Sequence, residues 1–124
     1  MAEFERSADE DHETWLIEEG HLVMERLTSE GHASLSDIEK LIYALWLADY
    51  GMGNAGDLDT AAEVSPTFLV DGLQAALACQ LPVSTKFFGL SAGQLEKQYF
   101  ELFDPVVDEV RAAHRSAERP EIHG

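Results

Sequence analysis

Apolar residues in this chain recur at intervals of three and four positions, and no segment alternates apolar with polar residues. The clearest repeat places Ile38, Leu41 and Leu45 on one face of a helix. The β-branched residues that favour strands are sparse. The pattern favours helices over a β-sheet, and we predict an all-α fold, a single-domain bundle of four to five helices.

The length of the chain limits the number of domains. At 124 residues it suffices for one domain and is too short for two of ordinary size. We therefore assign residues 1–124 to a single helical domain. Both ends are polar, so we expect loose termini at about 1–6 and 119–124.

Capping residues predict where several helices begin. Ser36 and Ser91 each stand three residues before a Glu or Gln, which is the pattern of a capping box. The same pattern at Ser7 predicts a first helix that ends near Thr28. In the last helix, Pro105 is expected either to kink the chain or to start a new helix.

Glycine and proline set the other predicted boundaries. Gly51 and Gly53 are expected to end the second helix, so that residues 51–57 form a loop. Pro66 is predicted to occupy the first position of the next long helix. Residues 84–89 are predicted to form one short turn.

The charge balance most limits the classes of function. There are 24 Asp and Glu residues against 8 Lys and Arg residues, a formal net charge of −16. This exceeds the roughly 2 to 8 units typical of a small soluble domain. Phosphate backbones and anionic membranes would be repelled, so we predict neither direct nucleic-acid binding nor membrane binding. A basic protein would relieve the self-repulsion; the alternative is that the acidic surface serves solubility alone.

Three features bear on the cellular compartment. Cys79 is the only cysteine, which excludes an internal disulfide, and its apolar neighbours predict a buried thiol. The first residues lack the basic and apolar blocks of a secretion signal. The longest apolar stretch, 41–48, is too short to span a bilayer. We therefore expect a cytoplasmic protein.

Glu18 and His21 form the spacing that best suits metal chemistry. Glu-x-x-His places both side chains on one helix face, as in di-iron bundles, which use two such elements. A matching second element is lacking, so we predict no metal ligands. No Ser-His-Asp arrangement can be assigned either, and we predict no catalytic residues and no cofactor. The alternative is a helical metal-binding protein or enzyme that uses Glu18, His21 and other helix carboxylates. The glycines of 51–57 match neither common phosphate-binding loop.

The acidic residues themselves are the best candidate for a functional site. Spaced carboxylates on a rigid helical scaffold can imitate a row of phosphates. A partner that grips nucleic acid through Arg and Lys would then accept this surface. The alternative for any single carboxylate is a solvated helix face. The residues that we predict to bind a partner are Asp49, Asn54, Asp57, Asp59, Glu63 and Asp71.

One helix and the segment after it resemble a small family of acidic, all-helical bacterial proteins of mostly unknown function. The helix is residues 41–50, LIYALWLADY, and the segment after it contains NAGD at 54–57. The family includes a dimeric DNA mimic, and its members commonly follow an aromatic-rich helix with an Asn-Gly-Gly-Phe loop. This chain has Gly-Asn-Ala-Gly at 53–56 instead. The resemblance implies binding of a protein through an acidic face.

Together these patterns predict a non-enzymatic bacterial protein that covers a basic surface. The partner would be a nuclease, a toxin or a DNA-binding protein, and the chain would act as a DNA mimic or as an immunity or inhibitor protein. In either case carboxylates replace the partner's natural anionic ligand. A third alternative is a structural subunit held by apolar contacts. A homodimer is also compatible with the sequence, since Trp15 and Tyr50 are expected to find no room in so small a core.

Overall fold

The computed structural model describes residues 11–118, with side chains as far as Ser116. This part of the chain forms six α-helices and contains no strand, so the all-α single-domain fold is confirmed and the predicted helix count is too low. None of the helices within this range combines the length and apolar character needed to cross a membrane. The helices are α1 (His12–Glu30), α2 (Asp37–Ala55), α3 (Asp59–Val64), α4 (Phe68–Ala78), α5 (Pro82–Gly89) and α6 (Ala92–Glu118), with a 3-10 turn at His32–Ser34.

Helix α2 lies at the centre of the bundle and packs against α1, α3, α4 and α6. Leu41, Ile42 and Leu45 are completely buried there. The capping box at its start is confirmed, because the Ser36 hydroxyl accepts a hydrogen bond from the Glu39 N–H at 3.2 Å. The Glu39 carboxylate accepts one in return from the Ser36 N–H at 2.9 Å. Local sequence and burial thus specify the same helix.

Asp11 caps the start of helix α1. The Asp11 carboxylate accepts a hydrogen bond from the Thr14 N–H at 2.7 Å, and the helix continues to Glu30 rather than ending near Thr28. The predicted cap at Ser7 lies outside the described residues.

Helix α6 runs without a break through Pro105. Its predicted capping box is confirmed, since Ser91 and Gln94 exchange hydrogen bonds at 3.3 Å. Proline removes one backbone hydrogen bond, yet Val106 and Val107 directly after it are completely buried. Packing of these two valines in the core therefore holds one continuous helix, and no new helix starts there.

The predicted loop at 51–57 is mostly helix, because α2 continues to Ala55. Gly51 lies inside the helix, and a Cβ atom at this position would stand 2.8 Å from the Asp57 carbonyl oxygen. The glycine therefore lets the following chain fold back against α2. The helix ends at Gly56, whose φ of +75° is the left-handed conformation that favours glycine.

Two further boundaries differ from the prediction. Pro66 lies in a turn, and α4 begins only at Phe68, whose N–H donates to the Ser65 carbonyl at 3.0 Å. The segment predicted as one turn at 84–89 is the longer helix α5, which starts at Pro82. Ahead of Pro66, residues Asp59–Val64 form the short helix α3.

A side chain from α6 explains why α5 is a helix. The Glu109 carboxylate accepts hydrogen bonds from the Val83 N–H at 3.1 Å, the Ser84 N–H at 2.8 Å and the Ser84 hydroxyl at 2.8 Å. A helix start has N–H groups without intrahelical partners, and a carboxylate there also meets the favourable end of the helix dipole. Phe87 and Phe88 of α5 are buried in the core.

Candidate functional site

The acidic residues lie mostly within 11–118, the range that the structure describes. Nineteen of the 24 acidic residues and six of the 8 basic ones fall within 11–118. Arg26 binds Glu39 at 3.0 Å, so part of this small cationic complement is engaged with the protein itself. The carboxylates of the helical framework far outnumber the cations that could neutralise them.

Arg111 is held inside the protein, between α6 and α1. Its guanidinium lies 5.4 Å from the centre of the Trp15 ring, and its Nη1 donates to His12 Nδ1 at 3.1 Å. The edge of the His114 ring meets Trp15 with centroids 5.8 Å apart. Trp15 is only 7% exposed, so the expectation that it finds no room in the core is wrong. Helix α6 supplies the room, and stacking on the guanidinium adds a cation–π attraction.

Aromatic side chains form a strip along one side of α2. Tyr43, Trp46 and Tyr50 follow each other at helical spacing, and their rings are nearly parallel. The Tyr43 and Trp46 ring centroids are 6.3 Å apart, and those of Trp46 and Tyr50 are 5.7 Å apart. Tyr50 is 41% exposed, so the aromatic strip (Tyr43, Trp46 and Tyr50) reaches the surface.

Helix α1 runs close beside this strip because of a glycine. A Cβ atom at Gly20 would overlap the Trp46 side chain, so only glycine permits this approach without a shift. The next residue, His21, makes an edge-to-face contact with Trp46, with ring centroids 6.0 Å apart. Between the helices lies an open groove of about 390 Å³, the α1–α2 groove. It is lined by Glu13, Ile17, His21, Trp46, Asp49, Tyr50, Gly53 and Asn54.

Asp49 is a half-buried carboxylate in this groove. Its Oδ1 accepts a hydrogen bond from the Tyr99 hydroxyl at 2.8 Å. Burial raises the pKa of Asp49, and the hydrogen bond from Tyr99 partly opposes that rise. Burial is the main cause that raises the pKa of Tyr99. The Asp49 carboxylate raises it further, and the charge of Glu13 contributes least. Tyr99 therefore stays protonated as the donor, and two carboxylates act on the same end of the groove.

The raised pKa of Asp49 predicts a pH dependence of stability. The folded chain binds a proton at Asp49 more tightly than the unfolded chain, whose pKa is near 3.8. The resulting stabilisation is complete below the unfolded pKa and is lost as the pH rises through the folded one. Asp49→Asn keeps an acceptor for Tyr99 without the charge. Its stability relative to the natural chain should therefore increase as the pH rises above 3.8.

Urea unfolding across the acidic pH range measures this difference. Asp108→Asn removes an exposed carboxylate from α6 and serves as the matched control. A constant difference between Asp49→Asn and the natural chain over the same range would contradict the prediction.

The structure separates the six residues predicted to bind a partner into three places. Asp49 and Asn54 line the α1–α2 groove, and the Asn54 amide donates to the Tyr50 carbonyl at 2.7 Å. Asp71 lies apart, in a crevice that it shares with Lys40, among others. The remaining three residues lie in or just before α3, namely Asp57, Asp59 and Glu63.

At the start of α3, Asp57 accepts a hydrogen bond from the Asp59 N–H at 3.0 Å. Asp59 and Glu63 are exposed, whereas Asp57 is half-buried. These three carboxylates belong to one surface region but do not line the groove.

Most of the residues that line the groove were not predicted to bind a partner, among them Glu13, Ile17, Trp46 and Tyr50. In α2, the regular spacing of aromatic residues together with Asp49 could have indicated the α2 wall of the groove. The α1 wall could not be predicted, because no sequence pattern shows that α1 is the helix that packs against this side of α2. Gly20, a glycine within a helix, was the indirect signal of a close approach.

The metal-binding and nucleophilic side chains of the described residues do not come together in a second site. No group of three or more His, Cys, Asp or Glu residues within 11–118 is arranged to hold a metal ion. His21 packs on Trp46, and Glu18 is exposed. Cys79 is half-buried rather than buried, and burial followed by the charge of Asp37 raises the pKa of its thiol. A raised pKa makes this cysteine a weak nucleophile at neutral pH.

No protein-family model, curated protein or solved structure matches the chain.

Proposed function

We propose that this chain is a non-enzymatic protein that binds the basic surface of another protein. The observation that carries the proposal is the α1–α2 groove, which joins the half-buried Trp46 ring and the exposed Tyr50 ring to the carboxylates of Glu13 and Asp49. Aromatic anchors bordered by charge are typical of protein-binding surfaces. No lysine or arginine is found among the described residues that line it. The partner must therefore supply the positive charge.

The charge of the whole chain supports the same class of partner. A net charge of −16 attracts cationic surfaces over a distance and speeds their association, with a strong dependence on salt. A nuclease, a toxin or a DNA-binding protein has such a surface because its natural ligand is anionic. The chain would act on it as a DNA mimic or as an immunity or inhibitor protein. The resemblance of residues 41–57 to the acidic helical family agrees with this proposal.

Co-purification tests the proposal. The tagged full chain is recovered from its native cells at low salt, and the bound proteins are identified and then challenged with high salt. We expect a Lys- and Arg-rich protein that dissociates as salt rises, because screening weakens exposed charge pairs. A partner that lacks a basic face, or one retained in high salt, would instead favour a structural subunit held by apolar contacts.

Metal analysis of the purified chain tests the alternative class. Stoichiometric iron, manganese or zinc bound through Glu18 and His21 would contradict a purely protein-binding role.

A further inference from the structure

We propose, building on the proposed function, that the α1–α2 groove receives an arginine side chain of the basic partner. The guanidinium would lie against the Trp46 and Tyr50 rings and donate hydrogen bonds to Asp49. Glu13 would add its charge at the same end of the groove.

Aromatic rings form part of the groove wall. Trp46 and Tyr50 both line the groove, and Tyr50 is 41% exposed. Cations are attracted to aromatic rings, most strongly to tryptophan, and the attraction grows when water is partly excluded. Ile17 and Gly53 line the groove too and offer apolar contact to an aliphatic stem.

The carboxylates of Asp49 and Glu13 give the groove its negative charge. Tyr99 occupies one hydrogen-bonding position of Asp49, and a carboxylate can accept several. Glu13 is exposed and makes no hydrogen bond or ion pair with any residue of 11–118. Charge complementarity therefore favours a cation in this groove over a neutral or anionic group.

The protein already contains an arginine in similar surroundings. Arg111 lies over the Trp15 ring and beside His12, and it is only 7% exposed. The same helix α1 forms part of both places. An arginine stacked on tryptophan is thus stable within this fold.

Arginine suits the groove better than lysine for a geometric reason. A planar guanidinium can stack on a ring while its edge donates to a carboxylate, and it is more weakly hydrated than an ammonium group. A lysine carries the same charge, but it has no planar group that could contact a ring and donate hydrogen bonds to Asp49 at the same time.

Titration with two peptides tests the inference. Hexa-arginine and hexa-lysine are added to the natural full chain, and binding is followed by calorimetry and by the NMR signal of the Trp46 indole N–H. We expect hexa-arginine to bind at least about 3-fold more tightly and to shift the Trp46 signal. Equal affinities without a Trp46 shift would overturn the proposal.

Matched variants locate the binding. Asp49→Asn and Glu13→Gln each remove one charge from the groove, whereas Glu63→Gln removes one from α3, outside the groove. We expect each groove variant to weaken hexa-arginine binding by about 10-fold and Glu63→Gln by about 2-fold or less. Circular dichroism and thermal unfolding confirm that the variants are folded. Equal effects of the three substitutions would overturn the groove assignment.

The outcomes separate this inference from the proposed function. Salt-sensitive binding of both peptides, with no difference between groove and control variants, contradicts the arginine site and leaves the basic-surface proposal intact. If neither peptide binds, both the arginine site and the basic-surface proposal are contradicted.

Discussion

Replacing Gly51 with alanine is expected to lower the free energy of unfolding by about 1–3 kcal/mol. The new methyl group would stand 2.8 Å from the Asp57 carbonyl oxygen and 3.4 Å from the Ala61 nitrogen. These are backbone atoms, and the segment that carries them is fixed. Leu58 is buried, and its N–H donates to the Glu96 carboxylate at 2.8 Å. The overlap cannot be relieved by rotating a side chain.

Gly53→Ala is the matched control in the same helix. A Cβ atom at Gly53 meets nothing within 4 Å, and the backbone there is helical. Alanine favours a helix over glycine by about 1 kcal/mol, so this variant should be more stable than the natural chain. Urea unfolding of both variants measures the difference. A gain in stability for Gly51→Ala similar to that for Gly53→Ala would show that the chain after Gly56 does not pack against α2.

Replacing Glu109 with alanine is expected to cost about 2–4 kcal/mol of stability. Its carboxylate accepts the three hydrogen bonds from Val83 and Ser84 at the start of α5. Ser84 is completely buried, so its N–H and hydroxyl would lose an acceptor where water does not easily replace it. Glu109→Gln keeps one acceptor oxygen and should fall between alanine and the natural chain.

The neighbouring residue provides the control for this prediction. Asp108 is exposed on α6, and Asp108→Ala should change the stability by no more than about 0.5 kcal/mol. Equilibrium unfolding gives the free energies, and hydrogen exchange at the Ser84 amide reports the start of α5 directly. Unchanged protection of that amide in Glu109→Ala would contradict a capping role.

Two of the eight residues that line the candidate groove were predicted from the sequence to bind a partner. Asp49 and Asn54 were assigned to a partner-binding surface, and both line the groove. Asp71 lies elsewhere, although it has the same chemical character. Acidic residues are so frequent in this chain that composition cannot show which of them bind a partner. That choice depends on which carboxylates lie beside aromatic rings, and the packing of α1 on α2 determines this.

Trp15 and Tyr50 show why exposure was predictable only in part. Both are large aromatic residues on helices with apolar faces. Tyr50 remains exposed, as expected, while Trp15 is covered by Arg111 and His114 from α6. The residues that cover Trp15 are about a hundred positions away in the chain, a separation at which helical periodicity carries no information.

The sequence by itself determined the helical class, the capping boxes at Ser36 and Ser91 and the large acidic excess. Each of these depends on residues within one or two helical turns, or on composition alone. Tertiary structure decided that Gly51 continues α2, that Glu109 caps α5 and that Gly20 brings α1 against Trp46. These outcomes depend on contacts between distant segments, where packing and burial override the local preference of glycine and proline to end a helix.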